Sequence, residues 1–497
     1  MSDTLLEATT VPELVQGARA RWSDRDLVVF DDQRLTYCDA ESRSARLARH
    51  LLARGVGKGG HVGLLLANNC EFVVSWLAIN RIGAVGVPLS TLSTAAELGQ
   101  LIAHADLEGL IFQPTYLKHN YVERLEAALP GLTSHRDGPL LLAEAPFLRH
   151  CWVWSEQAPS WAQALQGRQM TEVGEALLEA AESAVHTSDR AAIIYTSGST
   201  GDPKGVVHTQ ASLLRQSIKQ AREKGYTPRD RIFSSMPFFW VGGLSYKLLP
   251  AMQAGAAVLG CASATPAAIL DFIEAQRVTW FLGWPHAAQA LENDPSFAGR
   301  DLTHLRGGYL FGALPPEQRP ASLNAICNAL GMTETAGPHT RGHLSPLPEN
   351  LHGSFGQAAE GIEYRVVDTE TGQPVAEGQT GELWVRGDTL MAGLYKREPR
   401  DVVTTDGWYP TRDLVRQREG HLFFEGRCDD LVKIQGANVS PREVEDALAS
   451  QDGVVQAIVS GVDLRGKLLL GAVVATRENA QVSPEQLHKA LRQELSA

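Results

Sequence analysis

The residues best suited to chemistry lie between Thr196 and Gly205, in the run Thr196-Ser197-Gly198-Ser199-Thr200-Gly201-Asp202-Pro203-Lys204-Gly205. Every residue in it is Gly, Ser, Thr, Pro, Asp or Lys, a composition unsuited to a core. Residues 191–195 before it read as a buried strand, and residues 211–224 after it as a helix stopped by Gly225. A strand feeding a Gly/Ser/Thr loop with one lysine reads as a phosphate cradle. Glycines let the backbone approach, hydroxyls and amide N–H groups donate, and Lys204 neutralises charge. A Walker A loop is excluded. Counted from Gly198, GxxxxGK[ST] would need Gly at Pro203 and Ser or Thr at Gly205.

The elements around this loop alternate. Residues 34–37 read as a short strand, Thr36 and Asp39 as a capping box, and a helix then runs to Gly55. Strands at 61–66, 83–87 and 109–112 alternate with helices at 71–81 and 95–104. This rhythm predicts a largely parallel sheet with helices on its faces. Residues 132–186 read as packing and connecting segments. At 497 residues the chain is too long for one core. Its net charge of −12 argues against a nucleic-acid partner. The six cysteines form no CxxC pair, so neither a disulfide framework nor a zinc site is expected. No stretch reaches the ~18 apolar residues of a membrane span, and the start carries no basic leader. The cytoplasm is the expected compartment.

The run from Tyr195 to Gly205, YTSGSTGDPKG, resembles the phosphate-binding loop of the adenylate-forming enzymes. These are the acyl- and aryl-CoA synthetases, peptide-synthetase adenylation domains and luciferases. The resemblance covers nearly the whole chain and is strongest to the acyl-CoA synthetases. It implies that Thr196, Ser197, Gly198, Ser199, Thr200, Gly201 and Lys204 hold the pyrophosphate end of ATP. Phe239, Trp240, Gly242 and Gly243 fall where the family lines its acyl pocket. Trp240 replaces a frequent His and suits a wall or gate rather than a base. Trp284 is expected in the same pocket, with His286 beside it in a structural role. Phe311, Gly312 and Ala313 resemble the segment that passes the adenine, with Phe311 in place of a Gly. In Leu330-Gly331-Met332-Thr333-Glu334, the resemblance gives Thr333 the α-phosphate and Glu334 the Mg²⁺ ion. Leu330 replaces an aromatic that stacks on adenine, a change worth ~0.5–1.5 kcal/mol.

Residues 406–413 resemble DGWxxTGD. Asp413 is implied to bind the ribose hydroxyls. Arg412 stands where the family has Gly, so it is either strained at positive φ or an added cation. Arg427 is implied to contact ribose or phosphate, Asp429 to be a hinge, and Gly436 to begin the channel for the pantetheine thiol. The expected architecture is α/β. A large N-terminal region, residues 1–426, carries parallel-rich sheets and a β-rich subdomain. Residues 427–497 form a small mobile α+β domain that stops short of the family's late lysine. That lysine bridges the acyl carboxylate and the α-phosphate, and losing such a donor costs about 2.7–4 kcal/mol.

The implied function is a ligase using ATP, Mg²⁺ and coenzyme A. A carboxylate attacks the α-phosphorus to give acyl-AMP, and a thiol then displaces AMP. The expected catalytic residues are Thr196, Lys204, Glu334 and Arg427. The missing lysine predicts weak acyl-AMP synthesis beside retained thioester formation, from a piece of a longer protein or an enzyme fed acyl-AMP by a separate partner. A carrier-protein acceptor and a non-catalytic nucleotide-binding protein remain open alternatives.

Overall fold

The computed structural model describes residues 5–494, apart from 136–137, 167–169, 197–202, 263–264, 321–324, 431, 435–436, 440, 465–466, 478–479 and 481. An eight-stranded sheet carries the hairpin of Arg190–Thr196 and Lys204–Thr209. Its order is Gly393–Leu394, Lys204–Thr209, Arg190–Thr196, Val85–Pro88, His61–Leu65, Gly109–Phe112, His150–Val153 and Gln163–Ala164. The strands from Arg190–Thr196 through Gln163–Ala164 pair parallel. His61–Leu65, Val85–Pro88 and Gly109–Phe112 are buried at every residue. This is the pattern of parallel strands covered on both faces by helices. The segment read as connecting thus adds two strands and anchors Trp152 and Trp161 in the core.

Local signals placed the helices. The helix Tyr37–Ala53 begins at a capping box of Thr36 and Asp39, and Gln210–Lys224 ends at Gly225 with φ +61°. After Lys204 the chain does not pass directly into the helix. Lys204–Thr209 is a strand antiparallel to Arg190–Thr196, with Thr196 opposite Lys204. Val206 and Val207 continue the sheet, and the helix begins only where Thr209 caps it.

A second sheet of six strands runs Gly307–Gly308, Trp280–Phe281, Arg231–Phe233, Ala257–Gly260, Asp26–Phe30 and Gln33–Thr36. The β-rich part is an antiparallel sheet of Ile362–Val367, Thr380–Gly387, Tyr409–Arg418 and His421–Arg427. Leu383 and Val385 point into its core, as their alternation predicts. Beyond it lie the hairpin Val432–Ile434/Ala437–Val439, the helix Pro441–Ala449, the long hairpin Val454–Leu464/Lys467–Thr476 and the helix Pro484–Glu494. Ser483 caps the last helix reciprocally with Gln486. Ser440, which precedes Pro441–Ala449 in sequence, lies outside the described residues. These elements make an α/β molecule with a β-rich part and a small α+β C-terminal part.

Candidate active site

The antiparallel pairing that opposes Thr196 and Lys204 also brings Lys204 to the β-rich sheet. Ala392 N–H donates to Val207 O at 2.8 Å and Tyr395 N–H to Gly205 O at 2.8 Å. A side chain at Gly205 would meet the Tyr195 ring at 3.2 Å and Ile193 at 2.8 Å, so only glycine passes there. Tyr195 shares a hydrogen bond with His104 Nδ1 at 2.7 Å, which ties the hairpin to a neighbouring helix. Ser197, Gly198, Ser199, Thr200 and Gly201 lie outside the described residues.

Lys204 Nζ donates to Glu334 Oε1 and lies 3.3 Å from Tyr409 Oη. Tyr409 O–H donates to the same Glu334 oxygen at 3.0 Å. Burial of Glu334 works to raise its pKa, but the Lys204 charge and the Lys204 and Tyr409 hydrogen bonds outweigh it and hold the carboxyl low. Burial pushes the Tyr409 phenol up, and Glu334 adds to the effect. A short 3-10 turn, Thr333–Thr335, presents this carboxylate. Met391 N–H donates to the Glu334 carbonyl at 2.7 Å. His208 Nε2 hydrogen-bonds the Thr333 carbonyl at 2.7 Å. Burial lowers the His208 pKa to about 4, so the ring is a neutral prop. Tyr409 and His208 escaped the sequence reading. Their signal was position: Tyr409 follows Asp406-Gly407-Trp408, and His208 is four residues beyond Lys204.

Asp413 and Arg427 are cross-strand partners in the β-rich sheet. Arg427 Nη1 donates to Asp413 Oδ1 at 2.9 Å. Burial pushes the Asp413 carboxyl up to about 6 against the pull of Arg427. Arg412 takes the first of its two alternatives, and its cation is paired with a carboxylate. Its φ is +66°, and its guanidinium donates through Nε and Nη2 to Asp429 Oδ1 at 3.1 and 3.0 Å. Its own N–H is held by Glu382 Oε1 at 3.1 Å. Asp429 sits in the turn Cys428–Asp430 that leaves the sheet. Gly436 lies outside the described residues.

A cavity of about 940 Å³ opens beside this cluster. Tyr195, Thr196, Gly331, Met332 and Thr333 border it on the hairpin side. Phe239, Trp240, Gly242 and Trp284 form the aromatic side. Trp240 and Trp284 are 42% and 44% exposed, so their indoles face open space. His286 stacks on Trp284 at 6.4 Å.

Five expected lining residues lie elsewhere. Gly243 is packed: a Cβ would sit 2.2 Å from Pro237 O, so this glycine allows a turn to close. Leu330 packs against the β-rich core, and its carbonyl accepts from His339 N–H at 2.9 Å. Its side chain therefore does not take an aromatic's place inside the cavity. Phe311 packs into the core of the six-stranded sheet, edge-on to Tyr309 at 6.2 Å. Gly312 N–H is taken by Glu292 Oε1 at 2.7 Å. Ala313 follows in the same short turn and also packs against that core. Tyr309, not these three, reaches the cavity.

The family model described as AMP-binding enzyme matches residues 15–395. A putative acyl-CoA synthetase of Bacillus subtilis, YngI, is 29% identical over 96% of this chain and 90% of its own length. An indoleacetate–CoA ligase of Aromatoleum aromaticum is 28% identical over 90% of this chain and 84% of its own length. Among solved structures, ATP-bound MatB of Rhodopseudomonas palustris superposes with a TM-score of 0.75 at 24% identity, covering 98% of this chain and 92% of that one. A benzoate CoA ligase of Burkholderia xenovorans reaches 0.76 at 22% identity, covering 98% and 94%. The expected fold and the expected acid–CoA ligase class agree with these likenesses. The match over residues 15–395, more than half of the chain, establishes that the protein belongs to the AMP-binding enzyme family.

Proposed function

We propose that this ATP-dependent acid–CoA ligase activates an acid with a bulky apolar body, aryl, cyclic or medium-chain. The observation that carries the reading is the meeting of Lys204, Glu334 and Tyr409 at the edge of an aromatic-walled cavity. An anion-binding cation and a buried carboxylate stand beside a space that suits an apolar group. Relatives named for indoleacetate and benzoate support an aryl acid.

In the first half-reaction an acid carboxylate oxygen attacks the α-phosphorus of ATP. A P–O bond forms to the acyl group, and the P–O bond to pyrophosphate breaks. Lys204 takes up charge on the phosphates, and Thr196 and Thr333 donate hydrogen bonds to them. Such catalysis is largely positioning and charge neutralisation. Ser197, Gly198, Ser199, Thr200 and Gly201 complete the cradle. Asp413 accepts hydrogen bonds from the ribose hydroxyls, and Arg427 both orients Asp413 and reaches the nucleotide. Glu334 is the metal ligand. Mg²⁺ takes most of its oxygens from phosphates and water and needs one or two carboxylates. The donor set fits: among the described residues the Lys204 and Tyr409 side chains both contact the Glu334 carboxylate through Oε1. When bound, the ion offsets charge on the phosphates.

In the second half-reaction the CoA sulfur attacks the acyl carbon and AMP leaves with the bonding electron pair. Residues 427–497 act as a small rotating domain with Asp429 as hinge, and Gly436 is assigned the role of admitting the pantetheine thiol. Lys204, Glu334, Asp413 and Arg427 are assembled together, which favours a working adenylation step. A panel of aryl, cyclic and straight-chain acids, assayed for CoA thioester, tests the reading. Best turnover with acetate would refute the apolar pocket.

A further inference from the structure

One wall of the cavity carries chemistry that acid activation does not use. After the aromatic turn, residues Leu244–Leu248 form a π-helical turn. Tyr246 N–H donates to Val241 O at 3.0 Å and Leu248 N–H to Gly243 O at 3.0 Å, each spanning five residues. Such turns are rare and recur at functional sites. This one puts Tyr246 on the cavity wall and Lys247 behind it.

Lys247 is 2% exposed. Its Nζ lies 3.5 Å from the centroid of the Tyr246 ring. No carboxylate or hydrogen-bond acceptor among the described residues holds the amine. Lysine is almost never fully buried without a partner, because removing its charge from water is costly. Burial accordingly holds this amine far below the ordinary lysine range, and the charge of Lys224 adds to the effect.

Lys224 behaves differently. Its Nζ donates to Glu223 Oε1 at 3.2 Å and to Gly342 O at 3.0 Å. Burial works to lower its pKa, but Tyr246, Glu223 and Tyr309 reverse the shift and keep it protonated. Tyr309 also borders the cavity. Two phenols, one paired ammonium and one amine that, among the described residues, meets only a ring face therefore come together at this end. An apolar tail gains nothing from such a wall, and a leucine or methionine at position 247 would fill the same space without the cost.

We propose that this wall is a subsite for a hydrogen-bond acceptor, a ketone or a second carboxylate, at the end of the acid remote from the carboxylate that is activated. Lys247 donates to that acceptor, and a turn of the Tyr246 ring opens the way. A bound carboxylate brings the amine the counter-charge it lacks, so the amine takes up a proton and pairs. The proposal rests on the ligase reading and narrows it: the acid has an apolar body and a polar far end. A site built around a polar donor rejects substrates that leave the donor unpaired.

The test uses matched acids. Medium-chain monocarboxylates and 3-phenylpropanoate are each assayed beside the analogue bearing a ketone or a carboxylate at the far end. The expected kcat/KM for CoA-thioester formation is at least about tenfold higher for one acceptor-bearing class, which also distinguishes a neutral from an anionic acceptor. In Lys247→Met that ratio should fall to about one. Tyr246→Phe, which removes only a hydroxyl, gives a second reading on a folded protein and should change the ratio less. Equal or better use of the plain acids by the wild type, or an unchanged ratio in Lys247→Met, would overturn the subsite while leaving the ligase intact. Absence of thioester from every acid would overturn the ligase reading and the subsite with it.

Discussion

The ammonium of Lys204 and the carboxylate of Glu334 are in direct contact across 130 residues of sequence. One comes from the hairpin of Arg190–Thr196 and Lys204–Thr209 and the other from the Thr333–Thr335 turn, and Tyr409 joins both. The cluster is close to neutral without a nucleotide. Polyphosphate must draw Lys204 toward itself, and the freed Glu334 charge is then available to a cation.

Glu334→Gln keeps the shape and removes that charge. Pyrophosphate release should fall about 10²–10³-fold, the scale of losing one preorganised electrostatic group. Thioester formation from supplied acyl-AMP should fall much less. Parallel assays of the two half-reactions check this, and equal losses would remove Glu334 from its metal role.

Asp413 gives the site a pH dependence. Its pKa is raised by burial from 3.8 to about 6. The carboxylate needed for the ribose hydroxyls is lost as pH falls through about 6, so AMP affinity should weaken there. Titration calorimetry across this range should show the inflection, and Asp413→Asn should bind weakly without it. The stability sign is the reverse. A raised folded pKa contributes stability that is present below 3.8 and lost as pH rises through about 6. Glu334, lowered from 4.5, stabilises above that value and stops doing so as pH falls through its lower folded pKa.

Arg412 combines a left-handed backbone with an exposed ion pair. The conformation costs about 1 kcal/mol for a residue with a Cβ, and the pair returns about 0.2–1 kcal/mol. Arg412→Gly should therefore lie within about 1 kcal/mol of the wild type. Arg412→Ala keeps the strain and loses the pair, so it should be less stable than Arg412→Gly by about 1 kcal/mol. Urea midpoints of the three proteins check the order.

Trp240→Ala enlarges the aromatic side of the cavity. Preference should shift toward bulkier acids, by about 10-fold or more in relative kcat/KM, the scale of one or a few methylenes in an apolar pocket. An unchanged profile across the acid panel would take Trp240 out of the pocket.

The sequence was most legible where local rules decide structure. Thr36 with Asp39 and Gly225 marked helix ends because caps act within one turn. Buried strands such as His61–Leu65 showed as apolar runs. What failed depended on long-range packing. Val206 and Val207 stand between the Gly/Ser/Thr run and the helix, and only the neighbour strands reveal them as part of a hairpin. Leu330 and Phe311 turn their side chains into other cores, and the Gly312 N–H is taken by Glu292. Tyr409 matters through Glu334, 75 residues away in sequence, and a tyrosine does not announce such a role alone.

The most direct test follows every product of one turnover. Purified protein is given ATP, Mg²⁺, CoA and the best acid of the panel, and nucleotide, phosphate and thioester products are quantified together. The account predicts equal amounts of acyl-CoA, AMP and pyrophosphate, all lost together when Lys204 is replaced by Ala. Formation of ADP and phosphate, or AMP and pyrophosphate release that persists undiminished without Lys204, would contradict it.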